Sequence, residues 1–172
     1  MEYKHLHHVD LPNHYQFITF RTHDSVDSYI KKILSSSIQE NKKQQNIDDY
    51  LDSSTKGAYL KKQVLNWLYK FIQQKDNDIY KLIAFSIMPN HIHLLFKPLM
   101  GLPVVIKNIK GPSAFAINKM LNRKGTFWND SYFDKLIRDE KHFNVVYNYI
   151  KNNPRNIPQF KGEFPRFYGI YE

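Results

Sequence analysis

Period-two alternation marks residues 15–22, YQFITFRT, as a strand, and the β-rich apolar runs at 79–87 and 91–97 predict two more. Between the latter two lies Met88-Pro89-Asn90, turn chemistry that predicts a hairpin. Helical spacing takes over elsewhere. Val26, Tyr29, Ile30, Ile33 and Leu34 follow a cap at Asp24 or Ser25. A stronger amphipathic stripe runs through Tyr59, Leu60, Val64, Trp67, Leu68, Phe71 and Ile72. After Gly101 comes a helical region that Gly111-Pro112 is expected to kink or split. Residues 127–138 read as a strand or strand pair. Residues 139–153 read as a last helix, acidic at its start, apolar at Phe143, Val146, Tyr147 and Ile150, and stopped by Pro154.

This order of elements predicts an α+β fold, a ferredoxin-like antiparallel sheet with helices packed on one face. At 172 residues the chain suits one domain, drawn here as residues 1–154 with an aromatic and basic tail at 155–172. So many aromatics, Phe160, Phe164, Phe167, Tyr168 and Tyr171, argue against a purely disordered tail; it should pack along the domain or against a partner chain. The polar run at about 39–56 interrupts the apolar pattern and reads as an insertion that decorates the surface. There is no cysteine, so disulfides and thiolate ligands are excluded. No apolar signal region opens the chain and no stretch approaches a membrane span, so a soluble, cytoplasmic protein without membrane partners is expected. His5, His7 and His8 read as part of a flexible polar terminus rather than a metal tract.

Chemistry concentrates in the run Met88-Pro89-Asn90-His91-Ile92-His93-Leu94-Leu95-Phe96. On a strand, His91 and His93 stand side by side on one face while Ile92, Leu94 and Phe96 face the other way into apolar packing. A His-x-His pair alone is more often incidental than metal-binding, so a third ligand and a reactive group are needed. The last helix supplies both. Tyr149 and Asn153 are four residues apart, stacked on one face of its final turn. A phenol and an amide oxygen brought over two imidazoles would set a nucleophile beside a cation. Imidazole chemistry alone points to Mn²⁺ or Zn²⁺. No Asp or Glu sits in the histidine motif, so weak cation binding is expected.

The segments MPNHIHLLF, IKGPSAFAINK, GTFWNDSYFDKLIRDE and YIKNNP, in that order, resemble the single-tyrosine HUH transposases of the insertion-sequence-200-like group, and most closely the REP-associated tyrosine transposases. The resemblance runs from about Tyr15 to Pro154. It implies that His91 and His93 bind the metal, that Asn153 joins them, and that Tyr149 is the nucleophile. It further implies Mg²⁺ or Mn²⁺ as the working ion, and attack on single-stranded DNA to give a 5′-phosphotyrosine and a free 3′-hydroxyl.

Charge agrees with a polyanionic partner. The chain carries 25 Lys+Arg against 16 Asp+Glu, a formal net charge of +9. From Ile79 to Asn129 there is no acidic residue, while Lys97, Lys107, Lys110, Lys119, Arg123 and Lys124 all lie there. These, with Arg21 and Arg138, are the candidate contacts to single-stranded DNA and its hairpin ends; for the two arginines, structural ion pairing is the favoured role and phosphate contact the alternative. The group contains monomers and dimers, and a homodimer is compatible with this chain. A second reading keeps the fold for hairpin binding with little turnover. A third is a metal-dependent hydrolase with Tyr149 as bystander. Retention of both histidines and Tyr149 favours the strand-transfer enzyme.

Overall fold

The computed structural model describes residues 13–157 and 164–172. His5, His7, His8, Pro158, Phe160 and Lys161 lie outside them. Strand β1 (Gln16–Arg21) leads through a short 3-10 turn to α1 (Ser28–Leu34), α2 (Glu40–Ser53) and α3 (Lys62–Gln74). The hairpin β2 (Tyr80–Ile87) and β3 (His91–Pro98) follows, then α4 (Leu102–Met120), β4 (Phe133–Leu136), α5 (Glu140–Asn152) and β5 (Phe167–Gly169). The five strands form one antiparallel sheet in the order β4-β1-β3-β2-β5.

The antiparallel sheet is the expected one, but its helices take both faces rather than one. Ile18, Phe20, Ile92, Leu94 and Phe96 pack with α3 and α4 through Val64, Leu68, Ile72, Val105 and Ile109. Phe17, Ile83 and Leu95 pack on the other side with Val146, Tyr147 and Ile150 of α5. The cause is in the strands themselves: β1 is buried along its whole length, so both of its faces need cover. The α1–α2 pair has a small core of its own, Ile30, Ile33, Ile47 and Leu51.

Three local expectations change in detail. The cap of α1 is Asp27, whose carboxylate accepts from the backbone N–H groups of Tyr29 and Ile30. Gly111-Pro112 does not split α4, which runs unbroken through both residues, each of them exposed. The tail contributes β5, which adds an edge to β2 and stacks Tyr168 on Phe85 with ring centroids 5.5 Å apart. No helix among the described residues is long and apolar enough to cross a membrane.

The loop after α2 is fastened to the end of β1. Gly57 sits at φ +63, and a Cβ there would lie 2.3 Å from Thr22 Oγ1 and 2.6 Å from the Ser25 backbone nitrogen. Gly57→Ala combines strain with a backbone clash, so it is expected to cost roughly 2–4 kcal/mol in chemical denaturation. A loss under about 0.5 kcal/mol would show that this loop relaxes freely and does not anchor α2.

Candidate metal centre

The hairpin turn sets the two histidines. In the β1–β3 register His91 lies opposite Arg21 and His93 opposite Thr19. Both imidazoles are fully buried, with ring centroids 4.9 Å apart. The Asn90 amide nitrogen donates to the carbonyls of Leu51, Ser54 and Lys56 at 3.0, 3.3 and 3.4 Å, which leaves its oxygen to accept from His91 Nδ1 at 2.7 Å. That bond puts the His91 proton on Nδ1 and the lone pair on Nε2. His93 Nδ1 pairs with the Thr19 hydroxyl at 2.7 Å, so its Nε2 is likewise the atom left for a ligand.

Around these nitrogens the fold gathers acceptors without donors. His91 Nε2, His93 Nε2, Asp52 Oδ1 and Asn153 Oδ1 are buried with no hydrogen-bond partner among the described residues. His91 Nε2 and Asp52 Oδ1 face each other at 3.6 Å. Ligand atoms of Asp48, His91 and His93 lie within 4.8 Å of one another. Converging lone pairs in a buried space are satisfied together by one cation, and the mixed nitrogen and oxygen donor set fits a divalent ion.

Electrostatics agree with that reading. Burial, with the neighbouring His93 and Arg21, holds His91 far below the usual imidazole range, and burial with Arg21 pushes His93 down to about 3. The Asn153 amide lies near enough to His93 to act in the opposite direction, though less strongly. Both rings are therefore neutral, as ligands must be. Burial pushes the Asp48 carboxyl up to about 7 and Asp52 up to about 6.

Tyr149 comes to this centre within its own chain. Its ring centroid is 5.2 Å from that of His93, and its hydroxyl donates to Asp48 Oδ2 at 2.7 Å. Burial and then Asp48 push its pKa up, so the phenol is neutral here. The residue is 37% exposed, enough for its edge to meet solvent beside a closed metal centre.

The expected His91, His93, Tyr149 and Asn153 are thus brought together. Asp48 and Asp52 were missed: the segment expected to decorate the surface is α2, which lays Gln44, Asp48 and Asp52 over the histidines while Ile47 and Leu51 pack inward. Their spacing by fours was the available signal, hidden in a polar run. Of the expected DNA contacts, Lys107, Lys119, Lys124 and Arg138 are exposed and Lys97 half-buried. Lys110 is occupied by the carbonyls of Asn129 and Ser131, and Arg123 by Asp24, Asn118 and the Thr126 carbonyl. Arg21 is buried beside the histidines.

Set beside solved structures, the fold resembles that of a REP-associated tyrosine transposase bound to a REP hairpin, with a TM-score of 0.56 and 15% sequence identity over 95% of this chain and 81% of that one. An uncharacterized protein of Haemophilus influenzae is 28% identical over 52% of this chain, which spans 66% of that relative, just under two thirds of its length. The model of the family described as transposase IS200 like matches residues 50–153, a span that includes His91, His93, Tyr149 and Asn153. The chain belongs to the IS200-like transposase family.

Proposed function

We propose that this chain is a divalent-cation-dependent DNA transposase and endonuclease that acts on single strands, with hairpin ends as its recognition element. Tyr149 Oη attacks a phosphodiester; the tyrosyl O–P bond forms as the P–O3′ bond breaks. The phenolic proton leaves by way of the surroundings to the 3′-oxygen, and a 5′-phosphotyrosine remains. Attack by a 3′-hydroxyl on that linkage reverses the step and joins strands without consuming water.

The observation that carries this reading is the Tyr149 hydroxyl, one hydrogen bond from Asp48 and beside a pair of neutral buried imidazoles whose Nε2 lone pairs have no partner among the described residues. His91, His93 and Asn153, with Asp48 as a further donor, would hold Mg²⁺ or Mn²⁺, which when bound supplies a Lewis acid that offsets charge developing on the phosphoryl oxygens. The exposed Lys107, Lys119, Lys124 and Arg138 suit the DNA backbone, a contact that carries affinity rather than sequence choice. Because the nucleophile reaches its own chain's histidines, the chemistry does not require a homodimer, and a dimer would serve to hold two DNA ends.

The test is incubation with labelled single-stranded DNA from the flanking genomic sequence, hairpins included, with Mn²⁺ and without it, followed by denaturing electrophoresis. A cation-dependent covalent adduct is expected. Tight hairpin binding with no adduct would leave a DNA-hairpin-binding protein of the same fold. Cleavage without an adduct would favour hydrolysis, for which Asp48 is a base within reach.

A further inference from the structure

Arg21 closes β1 opposite His91 and is almost wholly buried. Among the described residues its Nε and Nη1 have no hydrogen-bond partner, and its Nη2 reaches Gln44 Oε1 only at 3.5 Å, the limit of a hydrogen bond. A guanidinium cannot shed its proton to escape burial, so unpaired N–H groups there are a large desolvation cost. Arg166 shows what a structural arginine does in this fold: its Nη1 donates to the carbonyls of Leu60 and Ile87 at 3.0 and 2.8 Å, pinning the tail to the hairpin. Arg21 has no such carbonyl anchors among the described residues. Its field instead falls on the metal centre, where it lowers the proton affinity of both His91 and His93, and Asp48 answers it only through space.

Resting on the strand-transfer reading above, we infer that Arg21 binds the scissile phosphodiester, its unpaired N–H groups donating to the phosphate's non-bridging oxygens beside His91. A planar, permanently charged guanidinium suits a phosphate, and its charge is worth more as the phosphoryl group gains negative charge during attack. The same donors that are a cost in the free protein become partners once the phosphate arrives. Gln44 and Asp48 on α2 flank the guanidinium, so α2 must shift for DNA to reach it.

The test uses inorganic phosphate as the probe and thermal unfolding as the readout, with Mn²⁺ present and ionic strength matched by sodium chloride. Phosphate is expected to raise the melting temperature of the wild type and of Tyr149→Phe alike. In Arg21→Gln its affinity should fall about tenfold or more, the scale of a charged hydrogen bond. Should that variant fail to fold, Arg21→Lys keeps the charge but not the planar donors, and must still bind phosphate markedly more weakly. Equal phosphate responses in wild type and either folded variant, or none in the wild type, would overturn the inference. So would phosphate that binds through Arg21 yet leaves adduct formation uninhibited, because the assignment to the DNA phosphodiester requires competition. A wild type that binds phosphate through Arg21 but makes no adduct sinks only the strand-transfer reading.

Discussion

Tyr149→Phe is expected to remove the covalent protein–DNA adduct altogether, at least about a thousandfold below wild type, while the protein stays folded and still binds cation. The variant deletes one oxygen. The ring keeps its edge contacts with Phe17 and His93, at centroid distances of 6.1 and 5.2 Å, so packing survives. What is lost besides the nucleophile is the hydrogen bond to Asp48, which retains Gln44 Nε2 as a donor at 2.8 Å. That loss should cost about 1–2 kcal/mol in denaturation. Mn²⁺ affinity should fall by about tenfold but not vanish, because the phenol does not itself hold the ion yet its hydroxyl orients Asp48, which would. Denaturing electrophoresis and Mn²⁺ titration on the same preparation separate the two effects. An adduct that persists in Tyr149→Phe would assign the nucleophile elsewhere and end the proposed mechanism.

The sequence exposed those parts of the site that lie on regular elements with clear periods. His91 and His93 share a face because strands alternate, and Tyr149 and Asn153 share one because a helix repeats after four residues; the fold respects both rules. The hairpin and the late helix were legible for the same reason, since their apolar residues declare which side is inward. Asp48 was not. The buried face of α2 carries Lys43, Gln44 and Asp48 beside Ile47 and Leu51, so inward and outward positions are both polar and the hydrophobic period is faint. Its destination depends on a long-range clamp, the Asn90 side chain holding the carbonyls of Leu51, Ser54 and Lys56, that local sequence does not announce. Helices on both faces of the sheet were missed by a related error. Alternation in β1 puts Thr19 and Arg21 on the face opposite Ile18 and Phe20, and polar residues there do not announce cover, yet they are just as buried.

Divalent cation should stabilise the protein, and pH should govern how strongly. At about a hundred times the dissociation constant, Mn²⁺ binding to the native state alone contributes about 2.7 kcal/mol. For a chain of this size that is a rise of roughly 5–10 °C in melting temperature. His91→Ala and His93→Ala should each abolish it. The pH dependence follows from which group must lose a proton. His93, pushed down to about 3, and His91, far below the usual imidazole range, are already neutral near pH 6 and compete with nothing. Asp48, pushed up to about 7, is protonated below that pH, and the ion must displace the proton. Mn²⁺ affinity should therefore fall about tenfold per unit as pH drops below 7 and level off above about 8. The cation-free protein changes in the opposite sense on account of this group. A carboxyl whose pKa is raised by folding adds stability below its unfolded value of 3.8 and loses it as pH climbs to about 7, so the gain from Mn²⁺ is largest where the bare carboxylate is most costly. Asp48→Asn keeps the shape but has no proton to exchange, so its weaker Mn²⁺ binding should change by only about twofold between pH 6 and 8, the part left to Asp52, pushed up to about 6. A wild-type affinity equal at both ends of that range, or a thermal rise that survives His93→Ala, would remove Asp48 and the histidine pair from the metal centre.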